Sequence, residues 1–301
     1  MSWSRREFVT TSSLAVLGST LRSLPSFAQQ APPPAVPEFA NVRRNVGTFT
    51  ARGGTIGWLV TPDAVVVVDS QFADTAPLLL EGLKTRTPRK IDILINSHHH
   101  GDHTGGNKVL RPAAVKIVAH ANVPGLQRKA AEASKTIDGQ AFADTTFDKE
   151  WKQDVGSEIV SAKYYGAAHT GGDVAIFFER ANIVHMGDLM SHVRNPRADR
   201  PAGASVRNWI TVLESVVKDH GNDTVYIFGH SKPGEAVTGS RQDLMSLRNY
   251  LTAMIDFVQK GIAAGRSREE IIKATAIPGF ESWADTPVAL PAAYDELSSR
   301  A

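Results

Sequence analysis

Residues 98–103 read HHHGDH and hold four of the ten histidines of the chain. They directly follow the apolar run Ile91–Asn96, which predicts a buried β-strand. Alternate residues of an extended chain point to the same side, so His98 and His100 are expected to face one way. Asp102 and His103 then lie on the turn that follows. Imidazole and carboxylate groups in this spacing are typical ligands of zinc, and also of iron or manganese.

Three further candidates lie at or just past predicted strands. They are His169 in AAHTGGD (167–173), Asp188 in HMGDL (185–189) and His230 in IFGHS (227–231). Each has a glycine close by and an apolar run beside it. Loops that bring such side chains to one edge of a sheet form a preorganised site.

The rest of the chain alternates predicted strands and helices, which favours an α/β or α+β fold. Glycines 53 and 54 indicate a hairpin between strands at 46–51 and 56–61. Residues 136–156 fit either a loop or lid, or a short irregular strand. The other predicted strands are 64–69, 91–96, 115–119, 158–165, 174–178, 183–185 and 224–228, and the predicted helices are 75–87, 121–134, 205–218, 241–261 and 268–274.

The ordered set H-x-H-x-D-H, a lone histidine about 70 residues later, then G-D and G-H, resembles the motifs of metallo-β-lactamase-fold hydrolases. The resemblance extends over about residues 43–262. It implies a four-layer αβ/βα sandwich, in which two mixed sheets are flanked by helices, over residues 41–301. It also implies two zinc ions, with iron or manganese as alternatives. The first ion would be held by His98, His100 and His169, the second by Asp102, His103 and His230, and Asp188 would bridge them.

The resemblance further implies a hydrolase in which a metal-bound hydroxide attacks the carbonyl of a β-lactam, lactone, ester or thioester. Asp102 is the expected catalytic residue, which orients the hydroxide and carries its proton. Asp188 stands where the commonest zinc β-lactamases use cysteine, which makes the chain more similar to glyoxalase-II-like thioesterases and lactonases. His100 stands where di-iron redox relatives carry glutamate. An iron-dependent redox or sulfur-handling enzyme and a non-catalytic metal-binding protein remain alternatives.

Two weaker interpretations concern contacts with a small-molecule substrate. His192 follows Asp188 by four residues in a loop expected near the cleft, and Lys232 follows His230 by two. A lysine there can hold a substrate carboxylate. The alternatives are an exposed loop histidine and a solvated lysine.

The N-terminus is similar to a twin-arginine (Tat) signal peptide. Residues 4–9 read SRREFV, a weakly apolar stretch follows to Leu21, and residues 26–28 resemble a cleavage site. We therefore expect a signal at 1–28, a proline-rich leader at 29–40, and a partner in the Tat export machinery. The mature protein would be periplasmic or secreted, without a stable membrane anchor. An ordinary secretory signal is the alternative.

The composition excludes several other classes. Hydrophobic residues make up 42% of the chain and charged residues 21%, as in soluble globular proteins. There is no cysteine, so disulfides and thiol nucleophiles are excluded. The net charge of +2 equals that of the first 28 residues, three arginines and one glutamate, and 2 − 2 leaves a neutral body. A neutral body argues against nucleic-acid binding.

Overall fold

The structure is a computed structural model that describes residues 36–283 and 285–299. The described strands are β1 Glu38–Arg43, β2 Val46–Thr50, β3 Ile56–Val60, β4 Val65–Val68, β5 Ile91–Ile95, β6 Ala114–His120, β7 Thr145–Phe147, β8 Glu150–Asp154, β9 Ile159–Lys163, β10 Ala175–Phe178, β11 Ile183–His185, β12 Ser191–His192, β13 Val225–Ile227, β14 His230–Ser231 and β15 Thr238–Gly239. The described helices are α1 Ala76–Lys84, α2 Gly101–Thr104, α3 Asn107–Leu110, α4 Asn122–Ala133, α5 Val206–Asp219, α6 Arg241–Ala263, α7 Arg268–Ile272 and α8 Leu290–Ser298.

The strands form two main sheets. The first runs β1 to β7 in sequence order, antiparallel as far as β4 and parallel from β4 to β7. The second has the order β15-β13-β11-β10-β9-β8 and is antiparallel except for the pair β11 and β13. A third pairing joins β12 and β14 beside the second sheet. Both main sheets are therefore mixed.

Alternate side chains of the buried strands pack on opposite faces of their sheet, one between the two sheets and one under the outer helices. In β4, Val66 and Val68 pack between the two sheets, whereas Val65 and Val67 pack on the outer face against α1. Because every residue of this strand is buried, the strand reads as an unbroken valine run. Alternate residues of β10 also pack on opposite faces, since Phe178 lies between the sheets and Phe177 packs against the helices of the second outer layer.

Helices cover both outer faces. Helices α1 and α3 cover the first sheet with Leu79, Leu83 and Leu110, and α5, α6 and α8 cover the second. The order helix, sheet, sheet, helix is the four-layer sandwich that the family resemblance implies. Within the described residues, no helix is long and apolar enough to span a membrane.

The structure differs from the sequence-based expectation at several places, and it has short elements that were not predicted, namely α2, α3, β12, β14 and β15. Strand β1 begins at Glu38, so the folded domain starts within the segment expected to be an extended leader up to residue 40. Segment 136–156, for which a loop and a short irregular strand were both open, contains strands β7 and β8, which agrees with the second alternative. Helix α8 was not predicted. The expected signal peptide at 1–28 lies outside the described residues.

Candidate metal centre

Four side chains form a first candidate metal site at the edge where the loops of the two sheets meet. The donor atoms of His98, His100, His169 and Asp188 all lie within 4.8 Å of one another. His98 and His100 follow β5, His169 precedes β10, and Asp188 follows β11. The Nε2 atom of His169 lies 2.9 Å from His100 Nδ1 and 3.4 Å from Asp188 Oδ2. Asp188 Oδ2 is also 3.9 Å from His98 Nε2.

Asp102, His103 and His230 form a second group immediately beside the first. The Nε2 atom of His230 lies 3.2 Å from Asp102 Oδ2 and 3.4 Å from His103 Nε2. The other oxygen of Asp188, Oδ1, is 3.0 Å from His103 Nε2 and 3.4 Å from His230 Nε2. The Asp188 carboxylate thus lies between the two groups, with one oxygen towards each.

The residues present fit divalent metal ions. Bonds of about 2.0–2.2 Å in a tetrahedral site separate neighbouring donor atoms by about 3.4 Å, close to the separations above. The Nε2 atom of His98 and the Oδ1 atom of Asp188 are buried and have no hydrogen-bond partner among the described residues. Buried polar atoms without a partner are costly unless an ion satisfies them.

Hydrogen bonds behind the donor atoms fix how the rings of the ligands are turned. His103 Nδ1 donates to Asp69 Oδ2 at 2.8 Å, and His100 Nε2 donates to Asp199 Oδ2 at 2.9 Å. His169 Nδ1 donates to the carbonyl oxygen of Arg197 at 2.7 Å. In each ring the opposite nitrogen therefore faces the site, where it can bind a metal ion in its deprotonated form.

For four of the ligand candidates, His98, His169, Asp188 and Asp102, electrostatics favour the protonation state that binds a metal. Burial lowers the pKa of His98 and His169, so both imidazoles are neutral at pH 7. Burial alone would raise the pKa of Asp188, but the neighbouring His230 and His103 hold it well below its usual range. Burial alone would also raise the pKa of Asp102, but the hydrogen bond from His230 outweighs burial and lowers the pKa of Asp102 to about 2. Both carboxylates are therefore ionised.

The site opens into a cavity of about 760 Å³. Its wall includes the metal-ligand candidates His100, Asp102, His169, Asp188 and His230, together with Ser191, Arg194, Asn195, Arg197, Asp285, Thr286 and Val288. A volume of this size suits a small organic substrate.

The two substrate contacts expected from the sequence lie elsewhere. In β12 Ser191 lines the cavity, so its neighbour His192 points the other way, where its Nε2 lies 3.4 Å from Asp243. Lys232 donates to the carbonyl oxygen of Ser282 at 3.2 Å and does not line the cavity. His99, between two candidate ligands in sequence, is buried, and its ring centroid lies 4.5 Å from that of His100.

Several residues of the site carry no sequence motif. Asp69 follows the valine run of β4, and an aspartate at the end of a buried strand is a weak signal that could have indicated it. Asp199 and Arg197 lie in an irregular segment where no pattern indicates them.

Known proteins are similar to this chain in sequence and in structure. The metallo-β-lactamase type 2 of Bacillus cereus is 25% identical over 197 residues, which cover 64% of this chain and 74% of that protein. A metallo-β-lactamase from Pontibacter korlensis superposes with a TM-score of 0.61 at 18% identity, covering 72% of this chain and 99% of the other. A stereoselective inverting sec-alkylsulfatase from Pseudomonas sp. superposes with a TM-score of 0.68 at 14% identity, covering 86% of this chain but only 50% of the sulfatase chain.

The family assignment comes from the sequence itself. The profile of the metallo-β-lactamase superfamily matches residues 49–230, more than half of the chain. This range begins in β2 and ends at His230, so it contains every predicted metal ligand. The chain therefore belongs to the metallo-β-lactamase superfamily and is a metal-dependent hydrolase.

Proposed function

We propose that the protein is an exported dinuclear zinc hydrolase that cleaves a carbonyl substrate, namely a β-lactam, a lactone, an ester or a thioester. The observation that carries the proposal is the position of Asp188, which presents one carboxylate oxygen to each of the two ligand groups. A single ion would need only one of these groups.

His98, His100 and His169 would hold one zinc ion, Asp102, His103 and His230 the other, and Asp188 both. When bound, the ions polarise the substrate carbonyl and acidify the attacking water. The absence of cysteine leaves Asp188 as the bridging group and favours the broad hydrolase branch of the family. The β-lactamase relatives support a lactam as one of the substrates to be tested.

Asp102 is the carboxylate best placed to handle the proton of the attacking water. Its side chain is 30% exposed at the cavity, whereas that of Asp188 is 10% exposed. Asp102 Oδ2 lies 3.2 Å from His230 Nε2, so its carboxylate is held within the second ligand group. An ionised carboxylate that is both fixed and accessible can orient water and accept its proton.

Export is supported by the sequence of the first 28 residues. The twin arginine at positions 5 and 6, the weakly apolar stretch and the small residues near 28 resemble a Tat signal. Because Tat substrates cross the membrane folded, the proposal places metal loading before export.

The test measures zinc content and turnover on the same samples. We expect two equivalents of zinc per chain, and hydrolysis of at least one of a chromogenic cephalosporin, a lactone, a 4-nitrophenyl ester and a thioester. Asp102→Asn should lower kcat about 100-fold or more, because it removes the proton acceptor. Asp256→Asn, at an exposed position of α6, is the matched control and should leave the rate unchanged.

Three results would contradict the proposal. One equivalent of zinc at saturation would exclude the dinuclear centre. An unchanged rate in Asp102→Asn would remove its catalytic role. Activity restored to chelated protein by iron alone would favour the redox alternative.

A further inference from the structure

A second cavity lies at the end of the first sheet opposite to the metal centre. It measures about 330 Å³ and lies where α1 and α3 pack on the sheet. The parallel strands β4 and β5 begin beside it, at Val65 and Ile91, whereas the first metal-ligand candidates follow the other end of β5. None of the ligand candidates lines this cavity. It is therefore separate from the site of the proposed hydrolysis.

The floor of the second cavity is apolar and recessed. It is formed mainly by Val65, Leu80, Leu83, Ile91, Val109 and Ala113. Each of these side chains is buried or half-buried, so the apolar floor lies below the surrounding surface of the domain. A narrow chain can reach such a floor, whereas a flat lipid bilayer cannot. The volume of the cavity falls within the range of small-molecule sites.

Basic side chains border the opening of the second cavity. Residues 84–90 read KTRTPRK, with four cations and no acidic residue, and Lys84, Arg89 and Lys90 line the cavity. Arg89 Nη2 lies 3.4 Å from Asp92 Oδ1, so the charge of Arg89 is partly offset. Lys84 and Lys90 are exposed and form no ion pair with any residue that the structure describes. Two ammonium groups are thus available to an anion at the opening.

We propose that the second cavity binds a single long-chain carboxylate, with its apolar chain on the floor and its carboxylate at Lys84 and Lys90. The floor supplies most of the affinity, because burial of each methylene group strengthens binding about fourfold. The two lysines determine the sign of the head group, since an exposed ion pair contributes little affinity by itself. The site is therefore selective for a free amphiphile with a negative head group.

Calorimetric titration of the zinc-loaded protein with a series of amphiphiles tests the proposal. For octanoate, decanoate and dodecanoate, all below their micellar concentrations, we expect the affinity to rise about fourfold for each added methylene. Decyltrimethylammonium has a chain of the same length as decanoate and a positive head group. We expect it to bind about tenfold more weakly than decanoate, because Lys84 and Lys90 repel it.

A charge-reversal variant locates the binding site. Lys84→Glu/Lys90→Glu should weaken decanoate binding about tenfold or more. Lys129→Glu/Lys260→Glu, at exposed positions of α4 and α6, makes the same change of net charge and should leave the affinity unchanged.

Three results would overturn the proposal. Equal decanoate affinity in the two double variants would place the ligand elsewhere, for example at the metal centre. An affinity that does not depend on chain length would exclude the apolar floor as the binding surface. Binding to phosphatidylglycerol vesicles that requires Lys84 and Lys90, without binding of free decanoate, would identify a membrane surface as the partner instead.

Discussion

A single buried carboxylate, that of Asp69, determines how one metal ligand faces the site. Asp69 is completely buried and accepts from the backbone N and the Oγ of Ser97, both at 2.7 Å, and from His103 Nδ1. Its φ of 68° lies in the left-handed region, which residues other than glycine rarely adopt. The three hydrogen bonds hold the residue in that strained conformation. Such strain persists only where the surroundings over-determine the backbone, as they do here beside His103.

Asp69→Asn should therefore weaken the second of the two proposed zinc sites without removing any candidate ligand. The amide can still accept from Ser97 N, but it no longer offers His103 a charged acceptor. We expect zinc affinity to fall about 10- to 100-fold, measured by competition with a chromogenic chelator. Asp256→Asn is the control. A zinc affinity within twofold of wild type would show that Asp69 does not orient His103.

The candidate ligands could be identified in the sequence, whereas the residues that hydrogen-bond to them could not. All seven predicted ligands belong to short motifs at strand ends, and the structure brings them into two adjacent groups. Asp69, Asp199 and Arg197 are defined by what they contact in three dimensions, so no spacing indicates them. His192 and Lys232 are near Asp188 and His230 in sequence, but strand alternation and the contact with Ser282 turn them away.

At the scale of elements, the buried strands were predicted and the exposed ones were not. Strands β4 and β5 are apolar because both of their faces are covered, and such runs are readable in a sequence. Strands β7 and β8 lie at sheet edges, and every one of their residues is exposed or half-buried. They therefore lack an apolar run, and segment 136–156 stayed ambiguous. The loop between β2 and β3 was predicted as a hairpin turn, but its contact with the metal site was not.

This loop packs directly on a metal ligand through Gly54. A Cβ atom at Gly54 would lie 2.1 Å from Cε1 of His103, whose ring is completely buried. Gly54 N also donates to the carbonyl oxygen of Asp102 at 3.1 Å. The absence of a side chain at this position thus lets the loop close over the second ligand group.

Gly54→Ala should displace either the loop or the His103 ring, because His103 is held from behind by Asp69. We expect a loss of about 1–3 kcal/mol in the free energy of unfolding and preferential loss of the second zinc equivalent. Gly125→Ala is the matched control, since a Cβ there meets nothing within 4 Å and the position lies inside α4. It should be neutral or stabilising by up to about 1 kcal/mol. Equal zinc content and equal stability in the two variants would contradict the role of Gly54.

For the whole molecule, the ligand groups join the two sheets. His98, His100, Asp102 and His103 follow β5 of the first sheet, whereas His169 and Asp188 lie in loops of the second sheet and His230 begins β14 beside it. Each group contains residues from both sheets. Bound ions would therefore cross-link the two halves of the sandwich, in addition to the apolar core between them. At a free zinc concentration 1,000 times Kd, one ion stabilises the folded state by about 4 kcal/mol.

The stability gained from zinc should also increase with pH, because the metal-free protein has a pH dependence of its own. The Asp188 and Asp102 carboxylates outweigh burial and raise the pKa of His230 to about 9, and Asp188 and Asp69 raise that of His103. A histidine with a raised pKa stabilises the folded state fully below its unfolded pKa of about 6.5, and this stabilisation is lost as the pH rises through the folded value. The Asp188 and Asp102 carboxylates are ionised throughout this window and add no pH dependence. Buried histidines with lowered pKa values, such as His98 and His169, oppose the fall only near pH 6.5, where the unfolded chain still binds protons. Thermal unfolding in the presence of a chelator should therefore show a Tm that falls between about pH 6.5 and 9. Zinc binds deprotonated imidazole, so the Tm of the zinc-loaded protein should stay high over the same range.

The metal-free His230→Gln variant should show a shallower fall in Tm with pH. A constant Tm difference between zinc-loaded and chelated protein over this range would contradict the argument.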